Sequence, residues 1–550
     1  MFEDISNREW KFLGIIWMIA TIAVFLPSVI GYMNTPSDAV FLARPNNGVD
    51  FTVYISQINQ AKGGAVFFEN LFTLELNSPK FLNPFWLVVG LFANIFDLSG
   101  EIAFHGAIFL LIPLFLVTGY RLVCFFFNEN NKRRVAFIFF VFASWLGPYM
   151  KYLFQVEPWR FPSIGASEAF SFSTLSNSPH FIASTTLLMA IFLFSLYFLE
   201  SRKIIHTFLA GVCAFLLFSF HPYHIYTVVF VMLVFIAVEG AANRRIDFGY
   251  VKHYLFILAC SVPPILYYLW TILYVPFYSQ IFNFNLLNSA PWIIVADYAL
   301  LLILFSLGVA FLAEKGSVSR REIFLIVWAV TQFFLLYLPI STQKRLLEGL
   351  NVPIIILAVS GLFFLDRLLA TGGLKKVCGL FNVGNDMAGK VVPCMFLVIS
   401  FGLVFSISNV ASVQENILFF KDEEHFFGAY IAQDNENAMK WIEAHTPNDS
   451  VIFSGYKNGN IIPIISFRHV YLGHYAQTAD YPGKEKESVM FFQDYSSPER
   501  REFLEKNNIG YIFWGPEERV LTDNFNPDQE DFLQKVYGNG SVAVYRVKMW

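Results

Sequence analysis

Residues 12–32 read FLGIIWMIATIAVFLPSVIGY, and residues 46–54 read NNGVDFTVY. The first stretch holds no charged side chain, and a helix of that length, about 30 Å, matches the hydrocarbon core of a bilayer. Its apolar residues run on without a period of two, so its backbone is expected to satisfy itself as a helix and not as a barrel strand. The second stretch returns the chain to polar sequence and sets a carboxylate, Asp50, where a membrane-crossing chain first meets water. Composition agrees: 56% of the 550 residues are hydrophobic and 15% charged, with a mean hydropathy of +0.51, too apolar for a soluble chain of this length.

Comparable runs recur near 103–127, 134–152, 180–199, 206–220, 223–239, 253–274, 293–314, 323–340, 351–371 and 391–410. The expected fold class is therefore an α-helical polytopic membrane protein with about eleven transmembrane helices. No small-residue cleavage pattern follows the first run, which reads as a retained anchor. Lys132-Arg133-Arg134, Arg202-Lys203, Arg244-Arg245, Lys315 with Arg320-Arg321, and Lys375-Lys376 fall on one side in this count. By the positive-inside rule that side is the cytoplasm, which gives a multi-pass cell-membrane protein with a cytoplasmic N-terminus. Pro84–Leu98, about four turns, reads as interfacial or re-entrant, because a full crossing there would invert every later loop. Trp10, Tyr32, Trp145, Tyr274 and Trp292 near span ends fit an aromatic belt.

Two domains are expected: 1–411, membrane-embedded with a long first outer loop at 34–102, and 412–550, a small extracytoplasmic α/β domain. In the tail, helix-like stretches (434–445, 484–494, 498–507) alternate with strand-like ones (451–453, 470–472, 511–513, 542–545). The tail carries a net charge of −8 and the remainder +4, so neither part reads as nucleic-acid binding. Cys124, Cys213, Cys260, Cys378 and Cys394 lie in or beside predicted spans or in a cytoplasmic loop, and the tail has none, so neither a disulfide framework nor a cysteine metal site is expected.

The loops assigned to the outer side gather the candidate residues. The first holds Asp50, an amphipathic helix from Asp50 to Lys62, Glu69, Glu75 and the turn Asn83-Pro84; the second holds Glu168 and Ser178-Pro179-His180. A tight turn, His221-Pro222-Tyr223-His224, and the stretch Thr342-Gln343-Lys344-Arg345 complete the set. In the tail, His474 and Asp480 are candidates to roof the same pocket. Asp297 and Asp366 sit near span ends, where ionisable residues are costly; Asp297 is expected toward the outer face and Asp366 to pair with Arg367 or water.

These features resemble the GT-C superfamily of polytopic glycosyltransferases, specifically bacterial members related to protein O-mannosyltransferases and aminoarabinose transferases. The resemblance runs over nearly the whole chain, through LNPFWLVVGLF, NSPHF, HPY, KRLLEGLNVP and RHVYLGHYAQTADY. It implies transfer of a sugar from a polyprenyl-phosphate carrier to a glycan, lipid or protein acceptor outside the membrane, with a first-loop acid as base. Many members carry two acids at that position, whereas Val49 precedes Asp50 here, a departure from the paired arrangement. No cofactor is assigned, and a divalent metal is left open.

The chemistry of the residues fits that expectation. Attack of an acceptor hydroxyl on an anomeric carbon needs a carboxylate within hydrogen-bond reach, which Asp50 supplies, and a base opposite the leaving group gives inversion by analogy with glycoside hydrolysis. The lipid phosphate leaves with negative charge, which the fork of Arg345 suits; Lys344 adds a point charge, and His221 and His180 offer hydrogen bonds. Each has a plainer role: Asp50 as a helix N-cap, Arg345 as an interfacial anchor, His221 as a turn residue, Glu168 and His474 as solvated surface. The rival function is a transporter or flippase of lipid-linked sugars. Transporters tend to carry internal repeats and midplane polar residues, neither of which stands out here.

Overall fold

The computed structural model describes residues 5–43, 50–75, 81–144, 155–157, 160–275, 286–372, 408–421 and 429–548. Its principal helices are α1 Asn7–Met33, α2 Phe51–Lys62, α3 Pro84–Ile95, α4 Gly100–Phe126, α5 Asn130–Phe142, α6 Pro179–Ser201, α7 Ile204–Phe218, α8 His224–Asn243, α9 Phe248–Tyr274, α10 Pro291–Asp297, α11 Ala299–Glu314, α12 Arg320–Leu335 and α13 Asn351–Gly372. The tail adds α14 Gln433–His445, α15 Tyr456–Ile465, α16 Tyr481–Gln493 and α17 Ser497–Lys506. Contacts divide the chain into two compact units. The first comprises Met1–Phe25, Ile108–Leu269 and Asn285–Gln414, and the second Leu26–Ala107, Trp270–Phe284 and Glu415–Trp550.

Among the described residues six helices are long and apolar enough to cross a membrane, or seven if α10 and α11, bent by 79° at their junction, count as one span. The expected spans at 206–220 and 323–340 are the shorter helices α7 and α12, of 15 and 16 residues; of 134–152, the described part holds the end of α5, a helix of 13 residues, and 145–152 lie outside the described residues. The run at 391–410 falls outside the described residues except for 408–410, as do Lys375-Lys376, Cys378, Cys394 and Trp145. Helix α3 has 12 residues, about 18 Å, well short of the hydrocarbon thickness.

In the first unit, α11 and α13 approach until their backbones touch. A Cβ on Gly308 would collide with the Leu357 carbonyl, and one on Gly361 with that of Leu304, so the small residues permit the contact. Trp328 of α12 is fully buried and packs edge-on against Phe192, with Phe324 and Phe235 completing an aromatic core. The basic loops meet through ion pairs: Asp247 accepts from Arg202 Nη1 at 3.0 Å and Arg320 Nη2 at 2.7 Å. Arg367 reaches Glu314 at 2.7 Å.

The second unit combines the segment between α1 and α4 with the tail. β1 (Ala39–Phe41) pairs antiparallel with β2 (Tyr430–Ala432). A five-stranded sheet runs in the order β4 (His469–Val470), β3 (Val451–Phe453), β5 (Tyr511–Trp514), β7 (Ala543–Val547), β6 (Leu533–Gly538). β3 is parallel to both its neighbours, whereas β7 is antiparallel to β5 and β6. Phe453, Phe491, Phe492, Phe503 and Phe525 fill its core. Glu517 accepts from the N–H groups of Lys457 and Asn458, both at 3.0 Å, and the buried Glu518 accepts from Gly455 N–H at 2.8 Å, so two carboxylates close the N-terminus of α15. Burial, reinforced by the charge of Glu518, pushes the Glu517 carboxyl up to about 7.

Candidate functional site

The candidate residues fall into two clusters, one in each unit. Asp50 belongs to the second. It immediately precedes α2, the amphipathic helix expected from sequence, whose inner face buries Phe51, Val53, Ile55 and Ile58. The Asp50 side chain makes no capping hydrogen bond to that helix, so the plain N-cap role does not account for it. His474 Nε2 stands 3.0 Å from Asp50 Oδ1. Ala476 N–H points at His474 Nδ1 from 3.2 Å, which fixes the tautomer with its proton on Nε2, toward the carboxylate. The Asp50 side chain is 44% exposed while that of His474 is 1% exposed, so a buried imidazole sits beside an acid that solvent can reach.

The chain carrying Asp50 is held by amide side chains. Gln60 clamps Glu69 through a paired donor and acceptor, at 2.9 and 2.8 Å, and Asn70 Nδ2 donates to the Gln477 carbonyl at 2.7 Å. These residues flank a cavity of about 180 Å³ lined by Tyr54, Gln57, Glu69, Asn70, Trp86 and Gln477. Tyr54 stacks on Trp86 at 4.6 Å and 20°. Glu69 also lies 3.5 Å from His469 Nε2. Burial pulls the His469 imidazole down, but its bonds to Glu69 and the Thr73 carbonyl carry it above the usual histidine range. Asp480 stands just before α16 and makes no capping bond to it.

The first unit holds the remaining candidates. Arg345 Nη1 meets the buried Glu168 Oε1 at 2.7 Å, and its guanidinium lies 4.9 Å from the Phe181 ring centre, so a charge partner and an aromatic face fix its plane. Lys344, half-buried beside it, is anchored by its backbone N–H to the Leu286 carbonyl at 2.9 Å. His180, at the start of α6, is 2.6 Å through Nδ1 from Ser178 Oγ, and its ring stands perpendicular to that of His221 at 5.0 Å. Burial holds the His221 imidazole below the usual histidine range, against the pull of Glu348.

Glu348 is a residue the sequence reading passed over, and His224 was noted there only as the end of a turn. Glu348 is fully buried; Ser184 donates to its Oε1, Thr185 donates to the same oxygen at 2.9 Å, and His224 Nε2 meets Oε2 at 2.9 Å. Its backbone is pinned by Gln332, which donates to the carbonyls of Leu346 and Glu348 at 2.8 and 2.7 Å and itself accepts from the Trp328 indole at 2.7 Å. Gly349 follows in a left-handed conformation, φ 82°, against Leu188, which turns the chain into α13. Both signals were in the sequence: a second histidine one turn beyond His221, and an acid at the mouth of an apolar run. Among the described residues, His221, His224 and Glu348 form a group whose donor atoms all lie within 4.8 Å of one another.

Neither family models nor curated proteins gave a match to the sequence. Solved structures are similar. ArnT from Cupriavidus metallidurans bound to undecaprenyl phosphate superposes with a TM-score of 0.51 at 11% identity, over 98% of both chains. The oligosaccharyltransferase AglB of Archaeoglobus fulgidus, in complex with an inhibitory peptide and a dolichol-phosphate, gives 0.51 at 12% identity, over 96% of this chain and 73% of that one. The apo oligosaccharyltransferase of the same organism gives 0.50 at 12% identity, over 94% and 73%. At such identities the likeness defines the fold alone, and that fold is shared with ArnT and AglB.

Proposed function

We propose that the chain is a membrane glycosyltransferase that moves a sugar from a polyprenyl-phosphate carrier to an acceptor hydroxyl on the extracytoplasmic face. Asp50 takes the proton of the attacking hydroxyl, the new bond forms at the anomeric carbon, and the bond to the lipid phosphate breaks with inversion. Arg345, oriented by Glu168 and joined by Lys344, His180 and His221, holds the charge that develops on the departing phosphate. His474 Nε2, 3.0 Å from Asp50 Oδ1, stands within ion-pair reach of the carboxylate. The observation that carries this reading is the Asp50 side chain: exposed, unspent on capping, and 3.0 Å from an imidazole.

Two further observations support it. The fold is shared with ArnT, solved with undecaprenyl phosphate, and with AglB, solved with dolichol-phosphate. The cavity beside α2 joins a Tyr–Trp stack to amide and carboxylate side chains, a lining that suits the apolar faces and hydroxyl edges of a sugar. The test is reconstitution in proteoliposomes with labelled polyprenyl-phosphate sugars and added glycan, lipid or peptide acceptors. Appearance of a glycosylated acceptor is the expected result. Label crossing the bilayer with no new glycosidic bond would replace this reading with the transporter.

A further inference from the structure

We propose that His221, His224 and Glu348 bind a divalent transition-metal ion of the zinc class. Metal bonds of about 2.0–2.2 Å from imidazole nitrogen and carboxylate oxygen put the edges of a tetrahedron at about 3.4 Å. His224 Nε2 lies 2.9 Å and His221 Nδ1 3.7 Å from Glu348 Oε2, on either side of that edge. The shorter distance is an ordinary hydrogen bond and the longer one lies beyond hydrogen-bond range. An ion between the three atoms uses both.

The surroundings are those of a ligand carboxylate. Ser184 and Thr185 occupy Oε1 and leave Oε2 directed at the two imidazoles, while Gln332 and Trp328 fix the backbone that carries it. The Tyr223 hydroxyl lies 2.8 Å from His221 Nδ1, and an ion would take the lone pair in its place. Two imidazoles and one carboxylate are the donor set of three-ligand zinc sites that keep a fourth position open. Magnesium and calcium, which prefer oxygen ligands throughout, fit this set poorly. The site holds whether or not the proposed transfer reaction is the right one.

The experiment uses the full chain without a polyhistidine tag, purified in detergent, stripped with EDTA and titrated with Co²⁺ or Zn²⁺ alone. Wild type is expected to take up one ion per chain by elemental analysis and to give the d–d absorption of tetrahedral cobalt. His224→Gln and Glu348→Gln should weaken binding by more than the roughly 10–100-fold that loss of an outer-shell partner costs, and Ser184→Ala by about that amount. Asp50→Asn should leave affinity unchanged. Thermal unfolding of the stripped proteins checks that each variant is folded, and Ser184→Ala decides the matter if Glu348→Gln is not. Failure of wild type to bind stoichiometrically, or uptake that the folded His224 and Ser184 variants leave unaltered, would overturn the proposal. So would uptake lost in Asp50→Asn but kept in His224→Gln, which would move the ion to the first outer loop.

Discussion

The two polar clusters differ in what their carboxylates are free to do. Glu348 is sealed, its oxygens engaged by two hydroxyls and an imidazole, whereas Asp50 is nearly half exposed beside the buried His474. A buried, fully engaged carboxylate can hold neighbours or an ion in place, but a reacting hydroxyl has no room to reach it. An exposed acid can take a proton and release it to water. The proposed reading gives binding to the first unit's cluster and proton transfer to the second's.

Substitutions that treat the two clusters differently test this division. Removing the proposed base in Asp50→Asn should lower the transfer rate by about 10²–10⁴-fold while leaving the fold intact. Arg345→Ala should cost about 10²–10³-fold, as loss of a donor to developing negative charge does, and Arg345→Lys less, because a point charge replaces the fork. Both are read as kcat on a labelled lipid-linked donor. Gln332→Leu leaves two buried carbonyls without a donor and should destabilise the protein by about 1–3 kcal/mol, measured by thermal unfolding, with a secondary effect on rate.

A smaller effect lies away from both clusters. With its folded pKa raised to about 7, Glu517 holds its proton in the native state where the unfolded chain has lost it. Stability from this group is therefore complete below the unfolded value and is lost as pH rises through about 7, a decline of about 1–3 kcal/mol. Glu517→Gln should flatten that slope. An unchanged pH profile of unfolding would show that the carboxyl titrates normally.

Much of this architecture was readable from the chain. Apolar runs located the long helices, α2 and three tail helices emerged within a few residues of expectation, and four of the five strands of the tail sheet followed from β-rich segments. α15 was missed because Gly459 and Pro463 break its pattern, and β6 because LQKVYG has little apolar alternation. Asp50, Arg345, Glu168, His180 and His221 were all named. His474, the weakest candidate by its surface-like sequence context, lies beside Asp50 because the tail and the first loop pack in one unit, a contact over 400 positions that no local pattern encodes. Glu348 was hidden by its setting, since an acid opening an apolar helix reads as a boundary until its hydroxyl and imidazole partners from two other helices are seen.

The most direct test of the account is single-turnover release of sugar from a labelled polyprenyl phosphate by wild type and by folded Asp50→Asn, at equal donor occupancy. The account predicts that the variant binds the carrier normally and transfers at no more than about one hundredth of the wild-type rate. Equal rates for the two proteins would contradict it.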